Sequence, residues 1–223
     1  MGTFTREHNN LVETLITIFT VHKGSLKVLL IKNKIDPYKG YWILPGSPLK
    51  NSETLESNIT DAVFDQTGIL KLYIEQCCAF SGLNRNPDNR VIGISFMGLA
   101  DSTTLEVRRE EKKDIESEWF SIDELPKTGY DHEEVIKKNI ECLKKKIVNI
   151  NILRNLFPSD FTIPELQKIF EQILNKKLDR RNFRKRIITM DLLEDTNEFN
   201  IGGNGRPAKL YRFKENISEK NLF

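Results

Sequence analysis

The chain has 223 residues, enough for one domain of ordinary size and a smaller second one. Its hydrophobic fraction of 39%, with no run of roughly 18 apolar residues and no signal-peptide pattern at the start, predicts a cytoplasmic protein without a membrane partner. The net charge is only +2, but residues 151–223 carry 14 Lys and Arg against 10 Asp and Glu, and this basic excess suggests a nucleic-acid partner.

Five segments of the first half are apolar and rich in β-forming residues, which predicts strands of one sheet. They span residues 11–21, 26–32, 72–80, 90–100 and 116–121. The sequence HKGS joins the first two as a hairpin, because Gly and Ser favour tight turns. Leu55, Ile59 and Val63 recur every four residues and predict a helix that ends at Gly68. A second helix, over 133–148, carries one apolar stripe and closes the domain.

From residue 150 onward the sequence predicts a winged helix-turn-helix. Thr162 and Glu165 have the spacing of a capping box, which starts one helix. After the turn NKKL, Asp179 can cap a second helix, and two capped helices joined by a tight turn make a helix-turn-helix. The segments LLED and AKLYRF then predict two short strands around a Gly-rich basic tip, which is the wing. The expected domains are residues 1–149 and 150–223.

The stretch from Trp42 to Ile69 resembles the Nudix box, a loop and helix whose glutamates bind magnesium and activate water on a diphosphate. The resemblance implies an α+β fold in which helices cover both faces of a mixed sheet. Five residues fit the box pattern G-x5-E-x7-R-E-U-x-E-E-x-G-U, where U is aliphatic. They are Glu53, Val63, Asp65, Gly68 and Ile69.

The box pattern also fails at its opening glycine and its arginine, which are Ser47 and Asp61 here, and at two of its metal-binding glutamates. Ala62 offers no ligand, and Gln66 offers a neutral carbonyl where magnesium usually takes a carboxylate. Glu53 and Asp65 are therefore interpreted as vestiges of a metal site. We expect no catalytic residues, no functional magnesium site and no other cofactor. The alternative is that this segment is an ordinary core helix with solvent-facing acids.

The turn-rich segment NRNPDNR lies between two predicted strands and carries Arg85 and Arg90. Two arginines on one loop can grip a ligand phosphate through bidentate hydrogen bonds. This pattern predicts a binding site for a phosphorylated ligand. A solvated surface hairpin is the alternative.

The segment RRNFRKR places five cationic side chains and Asn182 around one apolar residue, Phe183. On the second helix of a helix-turn-helix, this face meets base edges and phosphates in the major groove. A solvated basic face is the alternative, as a plain β-turn is for the wing. The residues predicted to contact DNA are Arg180, Arg181, Asn182, Arg184, Lys185, Arg206 and Lys209.

Almost the whole chain resembles the Nudix-related transcriptional regulators of the NrtR family. The motifs that carry the resemblance are KVLLIK, GYWILPG, NRNPDNR, YDHEE, RRNFRKR and GRPAKLYRF. The resemblance implies a homodimer that binds a palindromic operator in double-stranded DNA and represses genes of NAD or niacin metabolism. It also implies control by an ADP-ribose-like ligand. The effector site would comprise Arg85, Arg90, Trp119 and His132.

Three other functions remain open from the sequence. The first is a regulator of the same family that responds to a sugar of the arabinose type. The second is a working Nudix hydrolase that uses Glu53 and Asp65 and has an accessory C-terminal domain. The third is a binding module for RNA or a partner protein. Magnesium-dependent turnover would favour the hydrolase, whereas salt-sensitive binding to duplex DNA would favour a regulator.

Overall fold

The computed structural model describes residues 10–101, 115–147, 150–157, 160–200 and 207–214. The first part is built on a seven-stranded sheet. Its strands are β1 (Leu11–His22), β2 (Ser25–Lys32), β3 (Trp42–Ile43), β4 (Gly46–Pro48), β5 (Tyr73–Phe80), β6 (Val91–Leu99) and β7 (Ser117–Ser121). β1 pairs in parallel with β6, and the other pairs are antiparallel, so the sheet is mixed as predicted.

Two helices cover the two faces of this sheet. They are α1 (Leu55–Thr67) and α2 (His132–Lys146). Side chains alternate between the faces along each strand. Ile16 and Ile18 of β1 therefore pack with Ile59 of α1, whereas Leu15 packs in a separate cluster with Val135 of α2. This arrangement confirms the predicted α+β fold with helices on both faces.

The predicted apolar stripe of α2 faces the sheet. Val135, Ile136 and Leu143 are fully buried, as is Ile147 just after the helix. One polar residue lies within the stripe: Asn139 donates to the Thr17 hydroxyl at 2.9 Å and to the Phe96 carbonyl at 3.0 Å. Because a buried amide without partners would cost free energy, these bonds fix the position of α2 on the sheet.

The second part contains the helices α3 (Ile150–Leu153), α4 (Ile163–Leu174) and α5 (Arg180–Thr189), and the hairpin of β8 (Leu193–Asn200) and β9 (Ala208–Phe213). Thr162 and Glu165 form the predicted capping box of α4. Asn175 ends α4 with a left-handed φ of 50°, and the Asp179 side chain caps α5 by accepting from the Asn182 amide. The two helices and the hairpin have the order of a winged helix-turn-helix.

The first strand of the wing is longer than predicted. The sequence predicted a strand over LLED, but β8 extends to Asn200. Its register with β9 shifts between Asp195 and Phe199, and Asn197 within the shift has a φ of 59°. A bulge of this kind interrupts the alternation of side chains, which explains why the sequence pattern was missed. The wing tip with Arg206 lies outside the described residues, so its prediction stays open.

The two parts share one hydrophobic core. Phe19 and Leu26 from the sheet and Leu143 from α2 lie in the same buried cluster as Phe170 of α4 and Phe183 of α5. The winged helix-turn-helix is therefore packed directly on the sheet. In the part of the chain that the structure describes, no helix is both long enough and apolar enough to span a membrane.

Candidate functional site

Gln66 holds helix α1, the helix of the Nudix-like box, against the start of strand β4. The Gln66 carbonyl oxygen accepts from the Gly46 amide at 3.0 Å, and its NH₂ group donates to the Gly46 carbonyl at 2.8 Å. Gly46 is required there, because a Cβ at this position would lie 2.3 Å from the Thr14 carbonyl oxygen. Both polar groups of Gln66 are thus used in binding backbone.

Glu53, the first acidic residue of the box, is bound to its neighbours. It accepts from the Lys50 ammonium at 2.7 Å and from the Asn58 side chain at 2.7 Å. The hydrogen bond from Lys50, followed by that from Asn58, lowers the pKa of Glu53. Among the described residues, no three His, Cys, Asp or Glu side chains lie close enough to hold a metal ion. Asn58 and Gly46 were not predicted as residues of this site. The glutamine at position 66, which departs from the box pattern, was the feature of the sequence that could have indicated a contact with Gly46.

Arg85 is buried instead of projecting from its loop. It donates to both carboxylate oxygens of Asp131, at 2.9 and 3.0 Å, and to Glu13 at 2.5 Å. Its guanidinium lies over Gly93 of β6, where a Cβ would be 2.6 Å from Nη2. Burial opposes the positive charge, but the hydrogen bonds to Asp131 and Glu13 raise the pKa of Arg85. Arg85 therefore ties its loop to the start of α2.

His132, the first residue of α2, is also buried. Its Nδ1 accepts from the Leu44 amide at 2.9 Å. Desolvation, followed by the nearby charge of Arg85, lowers the pKa of His132 to about 3, so the imidazole is neutral. Tyr130, two residues before it, has a left-handed φ of 54°, which is rare for an aromatic residue and persists only where the surroundings hold it.

The four predicted effector residues do not form one cluster. Arg85 and His132 lie near each other at the start of α2. Arg90 donates to the carbonyls of Ser81 and Gly82, both at 2.9 Å, and so closes its own loop. Trp119 packs with the cluster under α1, on the other face of the sheet. Their role in ligand binding stays a prediction.

An open cavity of about 700 Å³ lies between the loop of Arg85 and the first turns of α2. Asp131, Glu134 and Lys138 line one side of it, and residues 78–85 line the other. A second cavity, of about 530 Å³, lies between α1 and β5 on the opposite face of the sheet. The first cavity is bordered by the loop that the sequence predicted as the ligand site.

The exposed face of α5 is basic. Phe183 and Ile187 are buried toward α4, with the Phe183 ring 5.5 Å from that of Phe170. The polar residues predicted to contact DNA on this helix are all exposed: Arg180, Arg181, Asn182, Arg184 and Lys185. Within the described part of the chain, none of the four cations forms an ion pair. These charges are available to an anionic partner.

The cations in the described part of the wing hairpin are paired, in contrast to the four on α5. Lys209 is bound by Asp195, which raises the pKa of Lys209, while the nearby charge of Arg184 opposes this rise. Arg212 pairs with Asp160 at 3.1 Å. Lys209 thus lies beside the basic face of α5, but its charge is offset by an aspartate.

The chain is similar to a known DNA-binding domain and to two characterised proteins. A family model, the NrtR DNA-binding winged helix domain, matches residues 142–213. The ADPR responsive transcriptional repressor NtrR of Acinetobacter baylyi is 30% identical over 202 residues, which are 89% of this chain and 80% of that protein. The ADP-ribose pyrophosphatase of Methanocaldococcus jannaschii is 33% identical over 111 residues, 50% of this chain and 64% of the enzyme.

A solved structure matches both parts of the molecule. The crystal structure of Shewanella oneidensis NrtR complexed with a 27mer DNA has a TM-score of 0.74 and 28% identity, and covers 91% of this chain and 93% of that one. The likeness to the pyrophosphatase spans only half of the chain, whereas the likeness to the Acinetobacter repressor spans most of both proteins. The chain therefore belongs to the NrtR family of Nudix-related transcriptional regulators.

Proposed function

We propose that this protein is a DNA-binding transcriptional repressor controlled by ADP-ribose. The observation that carries the proposal is a set of four exposed cations on α5 that form no ion pair with any residue the structure describes, within a domain that matches the NrtR winged helix. Such a face supplies both phosphate contacts and base contacts when the helix enters the major groove. The similar Shewanella protein has a structure described as complexed with DNA.

The proposed operator is an approximate palindrome bound by a homodimer. Two copies of α5 related by a twofold axis would enter successive major grooves, which lie about 34 Å apart. Arg180, Arg181, Asn182, Arg184 and Lys185 would make the contacts from α5, with Arg206 and Lys209 from the wing. The regulated genes would be those of NAD or niacin metabolism.

The proposed effector is ADP-ribose, held by the first domain. The similar Acinetobacter repressor is described as ADPR responsive, and the partly similar Methanocaldococcus enzyme acts on ADP-ribose. The cavity beside the Arg85 loop is large enough for a ligand of that class, since ligand pockets commonly measure about 300–1,000 Å³. The buried Arg85 would act there by fixing the loop rather than by gripping a phosphate.

The first domain is proposed to bind ADP-ribose without hydrolysing it. Magnesium in a Nudix box would need carboxylates at the positions that Ala62 and Gln66 occupy. The oxygen and the nitrogen of the Gln66 side chain are both hydrogen-bonded to the backbone of Gly46. These residues do not fit the metal, so no hydrolytic step can be derived through it. Glu53 and Asp65 are the acids that remain at positions where the Nudix box has a glutamate.

Two measurements test this function together. Calorimetry should detect ADP-ribose binding to the protein, and fluorescence anisotropy should detect binding to duplex DNA from upstream of its own gene or of neighbouring operons. Adding ADP-ribose should change the DNA affinity. Binding of L-arabinose in place of ADP-ribose would assign the protein to a sugar-responsive branch, and absence of DNA binding would refute the proposal.

A further inference from the structure

Besides its apolar packing on the sheet, the first helix of the helix-turn-helix is hydrogen-bonded to the sheet domain by the side chain of Gln172. Its side-chain oxygen accepts from the Leu26 backbone amide at 3.0 Å. Its side-chain nitrogen donates to the Asp123 carboxylate at 3.0 Å. Gln172 lies on α4, Leu26 on β2, and Asp123 just after β7, so one amide group joins the two domains.

The contact with Leu26 replaces a missing strand partner. β7 pairs with β2 from Lys27 to Ile31, and the ladder stops before Leu26. The Leu26 carbonyl accepts from the Ile122 amide at 3.3 Å, whereas the Leu26 amide would have no strand partner without Gln172. A buried backbone amide needs an acceptor. The hydrogen bond from Leu26 to Gln172 therefore fixes the position of α4 relative to the start of β2.

The position of α4 determines the position of the recognition helix α5. The turn between them is held by Gln167, which donates to the Leu178 carbonyl at 2.9 Å, and by Glu171, which accepts from the Leu178 amide at 2.8 Å. Phe170 and Phe183 pack across the two helices. These contacts join α4 and α5 into one unit. A shift of α4 relative to the sheet would therefore shift α5 as well.

The partner of Gln172 in the loop after β7 also belongs to the first domain. Asp123 follows the strand that carries Trp119, and β7 is hydrogen-bonded to β2 along five residue pairs. A shift of β2 or β7 would act on both hydrogen bonds of Gln172 at once. Apolar packing alone tolerates small sliding, whereas two hydrogen bonds at 3.0 Å do not.

We infer that Gln172 is the positioning residue that fixes the recognition helix on the effector domain and through which a bound effector changes DNA affinity. This inference rests on the proposed function. It requires that the orientation of α4, and not only the fold of each domain, differs in energy between effector-bound and effector-free protein.

The decisive variants exchange the two polar groups. Gln172→Ala removes both hydrogen bonds. Gln172→Glu combined with Asp123→Asn restores them with the donor and acceptor reversed at the loop, because Glu accepts from Leu26 and from the Asn amide, and the net charge is unchanged. Lys168→Ala, at an exposed position of the same helix, is the matched control.

The first readout is the response of DNA affinity to ADP-ribose. Effectors commonly change affinity by about 5-fold to 150-fold, and in Gln172→Ala we expect this response to fall below about 2-fold while ADP-ribose still binds. The exchanged pair and Lys168→Ala should keep the response of the wild type. A full response in Gln172→Ala, or no rescue in the exchanged pair, would overturn the inference.

The second readout needs neither DNA nor effector. Hydrogen exchange of the Leu26 amide should be about fivefold faster in Gln172→Ala, the equivalent of one net hydrogen bond, and should return to the wild-type rate in the exchanged pair. An unchanged rate in Gln172→Ala would overturn the inference on its own. If the wild type fails to bind DNA or ADP-ribose, the proposed function is refuted, and the exchange rates still decide whether Gln172 joins the domains.

Discussion

Gln66 and Gly46 form a reciprocal pair of hydrogen bonds, at 3.0 and 2.8 Å, between helix α1 and the first residue of strand β4. In the alignment of this segment with the Nudix box pattern, Gln66 occupies the position of a carboxylate. A carboxylate there would accept from the Gly46 amide but could not donate to the Gly46 carbonyl. Gln66 thus holds β4 against α1 through a donor that a carboxylate would lack.

The first prediction is that the protein does not hydrolyse ADP-ribose or NADH. The reason is that Ala62 and Gln66 leave too few carboxylates to hold magnesium or manganese beside a diphosphate. Incubation with either metal and each substrate should give a turnover far below the ordinary enzyme range of about 1 per second or more. The Methanocaldococcus pyrophosphatase is the positive control, and turnover in that range would refute the prediction.

The second prediction concerns the close approach of Gly93 to Arg85. Gly93→Ala would place a Cβ 2.6 Å from Nη2 and displace the guanidinium from Asp131 and Glu13. Disrupting a buried charge pair commonly costs about 3–5 kcal/mol of stability, and we expect a loss near the lower value. Gly82→Ala is the control, because the nearest atom to its Cβ would be 4.0 Å away.

Denaturant unfolding measures the effect of both substitutions. Equal stability of the Gly93 and Gly82 variants would show that Arg85 is not held over β6 as described.

The third prediction is a pH dependence that originates at His132. Its pKa is about 3 in the folded protein and near 6.5 when unfolded, so between these values the unfolded chain binds the extra proton. Stability should therefore fall as pH decreases from about 6.5 toward 3, by up to about 1.4 kcal/mol per pH unit from this residue. Above pH 7 the residue contributes no pH dependence.

His132→Asn is the matched variant for this prediction, since its amide oxygen can accept from Leu44 without titrating. The stability difference between wild type and variant, measured by unfolding from pH 4 to 7.5, isolates His132 from the carboxylates. A difference independent of pH would contradict the burial of a neutral imidazole.

The fourth prediction separates base contacts from phosphate contacts. Arg184→Ala or Asn182→Ala should relax sequence preference at particular bases and cost about 1–3 kcal/mol where the contact is bidentate. Arg206→Ala should instead weaken binding to all sequences alike. Competition binding with operator variants changed at single base pairs measures both effects, and uniform weakening by the α5 variants would contradict their assignment to bases.

Local signals in the sequence were enough to predict the helix-turn-helix. The capping box of Thr162 and Glu165 and the cap at Asp179 depend on residues three positions apart, and both form as predicted. The hairpin at the start of the sheet and the apolar stripe of α2 are equally local patterns. They were enough to predict four of the five described helices and most described strands, whereas the short helix α3 was not predicted.

The surroundings of Arg85 could not be predicted in the same way. Its partners Glu13 and Asp131 lie 72 and 46 residues away in sequence, and the space for it depends on Gly93. The contact of Gln172 with Leu26 spans 146 residues. Such contacts arise only when the sheet and helices are assembled, because no periodicity along the chain encodes them. The two arginines of the loop therefore did not indicate that Arg85 would be buried.

The central claim is that α5 binds DNA through its unpaired cations, and the salt dependence of DNA binding tests it most directly. If a dimer makes about 6–10 phosphate contacts, its affinity should fall by roughly 10³-fold to 10⁵-fold between 50 and 200 mM salt. The combined variant Arg181→Ala and Arg184→Ala should lose most of this affinity and show a shallower slope. The control combines Lys71→Ala with Lys145→Ala, which removes equal charge from exposed positions of the first domain.

The measurement is fluorescence anisotropy of a labelled duplex from the upstream region of the gene, titrated at several salt concentrations. We predict that the lysine control binds like the wild type and that the α5 variant does not. Binding by the α5 variant with the affinity and salt slope of the wild type would contradict the account.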